Sequence, residues 1–256
     1  GGVDALTMNA SGFVTLAGDG TWRMGAKSTQ ITAPIVTAES GVTSTLAADG
    51  TLALSGGEQA AVDVTSSGIG ASVNVTGTSV AMDNHWLLSS GLMSVTATTG
   101  DLQVGEHALL DASGTHLTVF EKSYYTDGGK IGLTSQQGNL NIASGAVIDI
   151  SAQAGGGNAG SIALSAAQGN LNTHKNLKAD SAQGVGGGLS VDAKTVAGGL
   201  HSLAEFFGLA NADGEVNIRL RGDESQAIDN NDEWKASSFT LSLDNADLAV
   251  NGLIDT

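Results

Sequence analysis

The chain has 256 residues, enough for one large domain or two small ones, and 41% of them are hydrophobic, which excludes a disordered tail. Charged residues are 14% and aromatics 4%, against about 25% charged residues in an ordinary globular domain. A net charge of −16 disfavours nucleic acid and anionic membrane surfaces as partners, and the absence of Cys excludes disulfides and thiolate metal sites.

The chain opens Gly1-Gly2-Val3 with no basic stretch followed by an apolar one, so it is read as an internal piece of a longer protein. No run approaches the ~20 apolar residues of a membrane span. Leu6-Thr7-Met8 alternates at once. Asp19-Gly20-Thr21-Trp22-Arg23-Met24 is echoed 30 residues later by Asp49-Gly50-Thr51-Leu52-Ala53-Leu54. Met93-Ser94-Val95 and Gly100-Asp101-Leu102-Gln103-Val104 introduce a pattern that returns 38 residues on. There Gly129-Lys130-Ile131-Gly132-Leu133 leads to Gly138-Asn139-Leu140-Asn141. After 31 residues it comes back as Gly160-Ser161-Ile162-Ala163-Leu164 and Gly169-Asn170-Leu171-Asn172, with a partial copy from Gly188-Leu189-Ser190-Val191.

Within one repeat, Ile131/Leu133, Leu140/Ile142 and Ile148/Ile150 are three short period-2 runs separated by turn residues, each the mark of a strand with one buried face. Near-identical copies at about 30 residues favour stacked coils over a β-sandwich, whose strands do not recur in this way. Coils stacked at ~4.8 Å place like side chains over one another, so roughly nine to eleven of them are expected, with Asn and Ser pairing at the corners. Pro34, the single proline, suits a chain made of pairing strands, because proline removes a ladder donor. Leu200, Leu203 and Phe207, between glycines, have helical spacing and predict a short helix over 199–208.

These residues resemble the repeats of filamentous haemagglutinin-type exoproteins, strongly over 92–200 and weakly elsewhere. The Gly-Gly-x-Ile-x-Leu, Gly-Asn-Leu and Ala-Val-Ile-Asp-Ile-Ser elements of Gly129–Gly169 carry the likeness, together with the Gly-Leu-x-x-Leu helix and Arg219-Leu220-Arg221-Gly222-Asp223. The resemblance implies a right-handed parallel β-helix, exported by two-partner secretion through an outer-membrane partner. It also implies service as an adhesin, a surface fibre or a toxin carrier. The Asn-Pro-Asn-Leu motif of the family's secretion domain does not occur, so residues 1–256 are expected to form one rod segment from the interior of such a protein.

Gly155-Gly156-Gly157-Asn158-Ala159-Gly160 satisfies G-x-G-x-x-G, but a strand rather than a helix follows, so a coil corner is expected instead of a nucleotide site. His85, His107, His116, His174 and His201 lack zinc-site spacing. Asp229-Asn230-Asn231-Asp232-Glu233 reads as a solvated acidic turn rather than a calcium loop. Asp111 and Asp149 occupy matching places in two coils and are expected on the outer face, exposed and without a basic partner. Trp86, Tyr124 and Tyr125, with Tyr124 and Tyr125 between strands, are candidate contacts for sugars or proteins, against packing in the core or on the rod's side as the bland reading of each. So is the integrin-type tripeptide Arg221-Gly222-Asp223, although its strand context already accounts for it. The expected function is therefore a structural and adhesive rod on a bacterial surface, with no catalytic residue, metal or cofactor. Its partners would be the secretion pore, a carbohydrate or protein target, and other rods end to end or side by side. The rival is a carbohydrate-active enzyme, a polysaccharide lyase or hydrolase on the same architecture.

Overall fold

Apolar residues alternating with Ser, Thr and Asn give each short strand one inward row. The computed structural model describes residues 3–56, 68–208 and 212–256 and shows where those rows lie. The chain begins with β1 (Ala5–Asn9) and β2 (Phe13–Leu16), then repeats a circuit of up to three strands. The first circuits are β3 (Gly20–Met24), β4 (Ser28–Thr32) and β5 (Ile35–Ala38), followed by β6 (Thr43–Ala48) and β7 (Thr51–Ser55). Next come β8 (Ser72–Gly77), β9 (Val80–Asp83) and β10 (His85–Leu87), then β11 (Leu92–Ala97), β12 (Leu102–Val104) and β13 (Leu109–Asp111). A hairpin of β14 (His116–Val119) and β15 (Lys122–Tyr125) precedes β16 (Lys130–Ser135), β17 (Leu140–Ile142) and β18 (Val147–Asp149). Then follow β19 (Ser161–Asn172), β20 (Leu177–Lys178), β21 (Gly188–Val196) and the helix α1 (Gly199–Gly208). The chain closes with β22 (Glu215–Leu220), β23 (Gln226–Ile228), β24 (Glu233–Lys235), β25 (Ser238–Leu243), β26 (Leu248–Val250) and β27 (Leu253–Asp255).

The largest sheet has 15 strands, and its order doubles back at the 12-residue β19, so it consists of two ranks of parallel strands joined through one long strand. A separate six-stranded sheet, β2-β5-β10-β13-β18-β20, makes a third rank. In all three ranks each strand pairs in parallel with its counterpart in a neighbouring circuit. On the third rank β5 pairs directly with β10. The protein is thus mostly β, built from parallel sheets with one short helix.

The register joins the inward rows into continuous apolar columns. Val73, Met93, Ile131, Ile162, Leu189, Val216 and Phe239 stack in one, as expected from the repeats, and Leu140 sits over Leu171 in another. The step along the first rank varies from 20 residues, Val75 to Val95, to 38, Val95 to Leu133, because corners absorb insertions while the strands keep register. A Cβ on Gly160 would overlap the carbonyl oxygen of Gly129, and one on Gly129 that of Gly91, which is why a glycine heads each copy. The Asp-Gly-Thr echo does not stack. Trp22 pairs with Leu46, and Leu52 with Thr29, so β3 and β7 lie on different ranks.

Corners are closed by side chains that accept the backbone N–H of the following circuit. Asp101 Oδ1 accepts from Asn139 N (2.7 Å), and Asn139 Oδ1 from Asn170 N (2.9 Å). Asp19, Asp83, Glu106 and Asp127 do the same for Thr43, His107, Gly145 and Asn158. Part of the large acidic excess is therefore structural, since these carboxylates hold one circuit to the next.

The helix interrupts this order. Gly198 and Gly199, at φ 77° and 65°, turn the chain out of β21, and α1 then buries Leu200, Leu203, Ala204, Phe206 and Phe207. The expected helix is present. It follows the last second-rank pairing, Leu171 with Val196 of β21, and beyond it β23-β26 and β24-β27 pair as separate two-stranded sheets. The first rank runs on unbroken through β21, β22 and β25.

Candidate functional site

Two places depart from the plain stack of circuits, and both gather chemistry. The first is the hairpin. The register pairs His116 with Tyr125, Leu117 with Tyr124, Thr118 with Ser123 and Val119 with Lys122, so alternation puts Leu117, Val119, Lys122 and Tyr124 on one face. Tyr125, on the other face, stacks on His116 at 5.0 Å and lies against Gly155 and Gly156, where a Cβ at Gly155 would collide with the ring. Phe120 at the tip is 96% exposed. Phe120 and Glu121 have φ 48° and 62°, the turn that Asn-Gly makes without strain. Bulky residues there cost about 1–3 kcal/mol each, and that cost favours no fold contact. Tyr124 and Tyr125 are thus exposed, as expected of contact residues, but they belong to a strand of the hairpin rather than to a loop between strands.

The second place is the interruption at α1. A helix is about 10 Å across where a strand takes ~4.8 Å, so the flanking circuits cannot close against it. A cavity of about 520 Å³ lies on one flank, lined by Lys175, His201, Glu205, Asp213, Asp232, Glu233 and Lys235 among others. Another of about 530 Å³ shares Lys175 and Glu205 and adds Ser144, Asn172, Thr173, His174 and Ser202. Asp232 is buried, contrary to the expected solvated turn: it accepts from His201 Nδ1 (2.6 Å) and from the backbone N–H of Asp229 (2.8 Å). That hydrogen bond raises the His201 pKa above the ordinary histidine value. Lys175 and Glu205 form an ion pair beside it, and Lys235 pairs with Glu233 at 3.0 Å. His201, Lys175, Glu205, Asp232, Glu233 and Lys235 are thus paired within the cleft, while Asp213 accepts from the backbone N–H of Gly186. Among the described residues no group of three or more His, Asp or Glu is placed to hold a metal ion. The sequence signal for this cleft was weak, because its residues come from four separate segments and only the helix was periodic.

Other candidates are placed differently from expectation. Trp86 takes the packing reading and not the contact one: it is fully buried in the third-rank column between Val36 and Leu110, and its Nε1 donates to Asn84 Oδ1 at 2.9 Å. Arg221 is held by Asp192, through Nε at 2.5 Å and Nη2 at 2.7 Å, and the N–H of Gly222 donates to Lys194 O. The Arg221-Gly222-Asp223 tripeptide is therefore tied to the preceding circuit, with only Asp223 exposed, rather than carried on a loop tip. Asp111 and Asp149 do stack on the outer face of the third rank, but they are only partly exposed, and Asp149 has a basic partner in Lys178 at 3.5 Å. The expectation failed because Lys178 enters from the next circuit, in register with Asp149. Burial raises the Asp111 pKa.

Comparison with family models, curated proteins and solved structures finds no match to this chain. No helix among the described residues is long and apolar enough to cross a membrane.

Proposed function

We propose that the chain is a stretch of right-handed parallel β-helix from a filamentous haemagglutinin-type exoprotein. Its role is that of a structural and adhesive rod, exported through an outer-membrane partner to a bacterial surface, with no catalysis of its own. Parallel pairing between successive circuits supports a helical course, and parallel crossovers are right-handed in about 98% of cases. The columns and corner bonds support a scaffold whose stability is built by repetition, without a staple.

The observation that carries the adhesive reading is the hairpin. It adds nothing to the columns, yet it holds Phe120 fully in solvent on a strained turn beside Tyr124. An exposed apolar cluster outside the core marks an interaction surface. The rival enzyme draws on Asp111, raised by burial and stacked on Asp149. However, Lys178 occupies Asp149, and neither carboxylate lines the cavities beside α1.

Antibody raised against the chain should label intact cells of the source bacterium. Labelling only after permeabilisation would remove the surface reading. Release of reducing ends from any polysaccharide, lost in Asp149→Asn, would replace the rod with the enzyme.

A further inference from the structure

Of the 13 large hydrophobic residues exposed among the described residues, five lie in the ten-residue hairpin: Leu117, Val119, Phe120, Tyr124 and Tyr125. Its second face rests at the base on Gly155 and Gly156, so the face of Leu117, Val119 and Tyr124 is the one left uncovered. The segment 116–125 carries one carboxylate, Glu121, and one ammonium, Lys122, and is formally neutral in a chain of net charge −16. We propose that this face pairs with the same face of a second copy of the chain, joining two rods side by side. The proposal rests on the reading of the hairpin as the contact element and names what it contacts.

Charge is the first argument. Two copies at −16 repel over most of their surfaces, and a neutral apolar patch is where they can approach. Self-complementarity is the second. In a two-fold arrangement of antiparallel hairpins, Phe120 of each copy covers Leu117 and Tyr124 of the other. Two ribbon faces pack about 10 Å apart, as sheets do, so the protruding tip needs no concave receiver. A bilayer is the less suitable occupant, because burying Phe120 would drag Glu121 with it and anionic headgroups repel the chain. A single hairpin face is smaller than the roughly 800 Å² per partner of a stable interface, so the dimer is weak and forms at high concentration.

Sedimentation equilibrium of the 256-residue chain over about 5–300 μM tests this. Wild type should pass from monomer towards dimer, more readily as salt screens the net charge. Phe120→Gly relieves the positive φ, so it leaves the hairpin folded while weakening dimerisation at least tenfold. A wild-type monomer throughout overturns the proposal, as does a dimer that Phe120→Gly leaves unchanged. Flotation with phosphatidylcholine vesicles, lost in Phe120→Gly from a chain that stays monomeric, would also overturn it and assign the tip to a bilayer. Surface labelling of cells is untouched by any of these results, so the two readings fail separately.

Discussion

Ile162→Ala is the sharpest test of the column register. Ile162 is 1% exposed and lies between Ile131 and Leu189 in adjacent strands of the first rank. Truncating a buried Ile to Ala costs about 2–5 kcal/mol, depending on how far the surroundings collapse into the hole. Here the strands on both sides are held by backbone pairing along their length, so collapse is limited and we expect about 3–5 kcal/mol. In a domain of this size each kcal/mol lowers Tm by about 2–4 °C, a fall of about 6–20 °C. Far-UV circular dichroism during thermal and urea unfolding would measure it, with the fluorescence of buried Trp86 as a second probe. The control is Ala163→Ser, one residue along on the exposed face, which should stay within about 0.5 kcal/mol. A small effect at Ile162, or an equal one at Ala163, would refute the register.

Asp101→Ala should cost about 1–3 kcal/mol by leaving Asn139 N–H without its acceptor, while Asp101→Asn, which keeps an oxygen there, should cost less. Equal losses in denaturation midpoint would show that charge rather than the bond matters. Because Asp232 raises the His201 pKa, the pair's contribution should be full below the unfolded histidine value near pH 6.5 and fade as pH rises through the folded value. His201→Ala should therefore lose more stability at pH 6 than at pH 9, and a loss independent of pH would contradict this. The raised Asp111 pKa has the opposite consequence for design, since its charged form is the strained one once pH exceeds the unfolded value near 3.9. Asp111→Asn should raise stability at pH 7 by about 0.2–1 kcal/mol, through relief of desolvation and of the stacked Asp149 charge, and should not raise it at pH 3. Thermal melts at the two pH values decide it.

Period-2 alternation is a local property, and the repeated Gly-x-Ile-x-Leu copies carry it from circuit to circuit. For that reason the stacking of Ile131, Ile162 and Leu189, and of Leu140 on Leu171, was legible in the sequence by itself, as was the helix at Leu200, Leu203 and Phe207. What lies opposite a residue on the next circuit is not local, because corners of different length separate the strands. Only the tertiary structure placed Leu52 over Thr29 rather than over Trp22, and brought Lys178 up to Asp149. A three-residue strand shows too little alternation to say which way its middle residue points, so the sequence leaves Trp86 open between packing and contact, and Val36 and Leu110 decide it by enclosing the ring. Asp232 looked solvated for a related reason. Its partner His201 is 31 residues away, on the helix that follows β21. The hairpin shows the same division. Tyr124 and Tyr125 were conspicuous as rare aromatics, but only antiparallel pairing turned one towards Gly155 and left the other exposed beside Phe120.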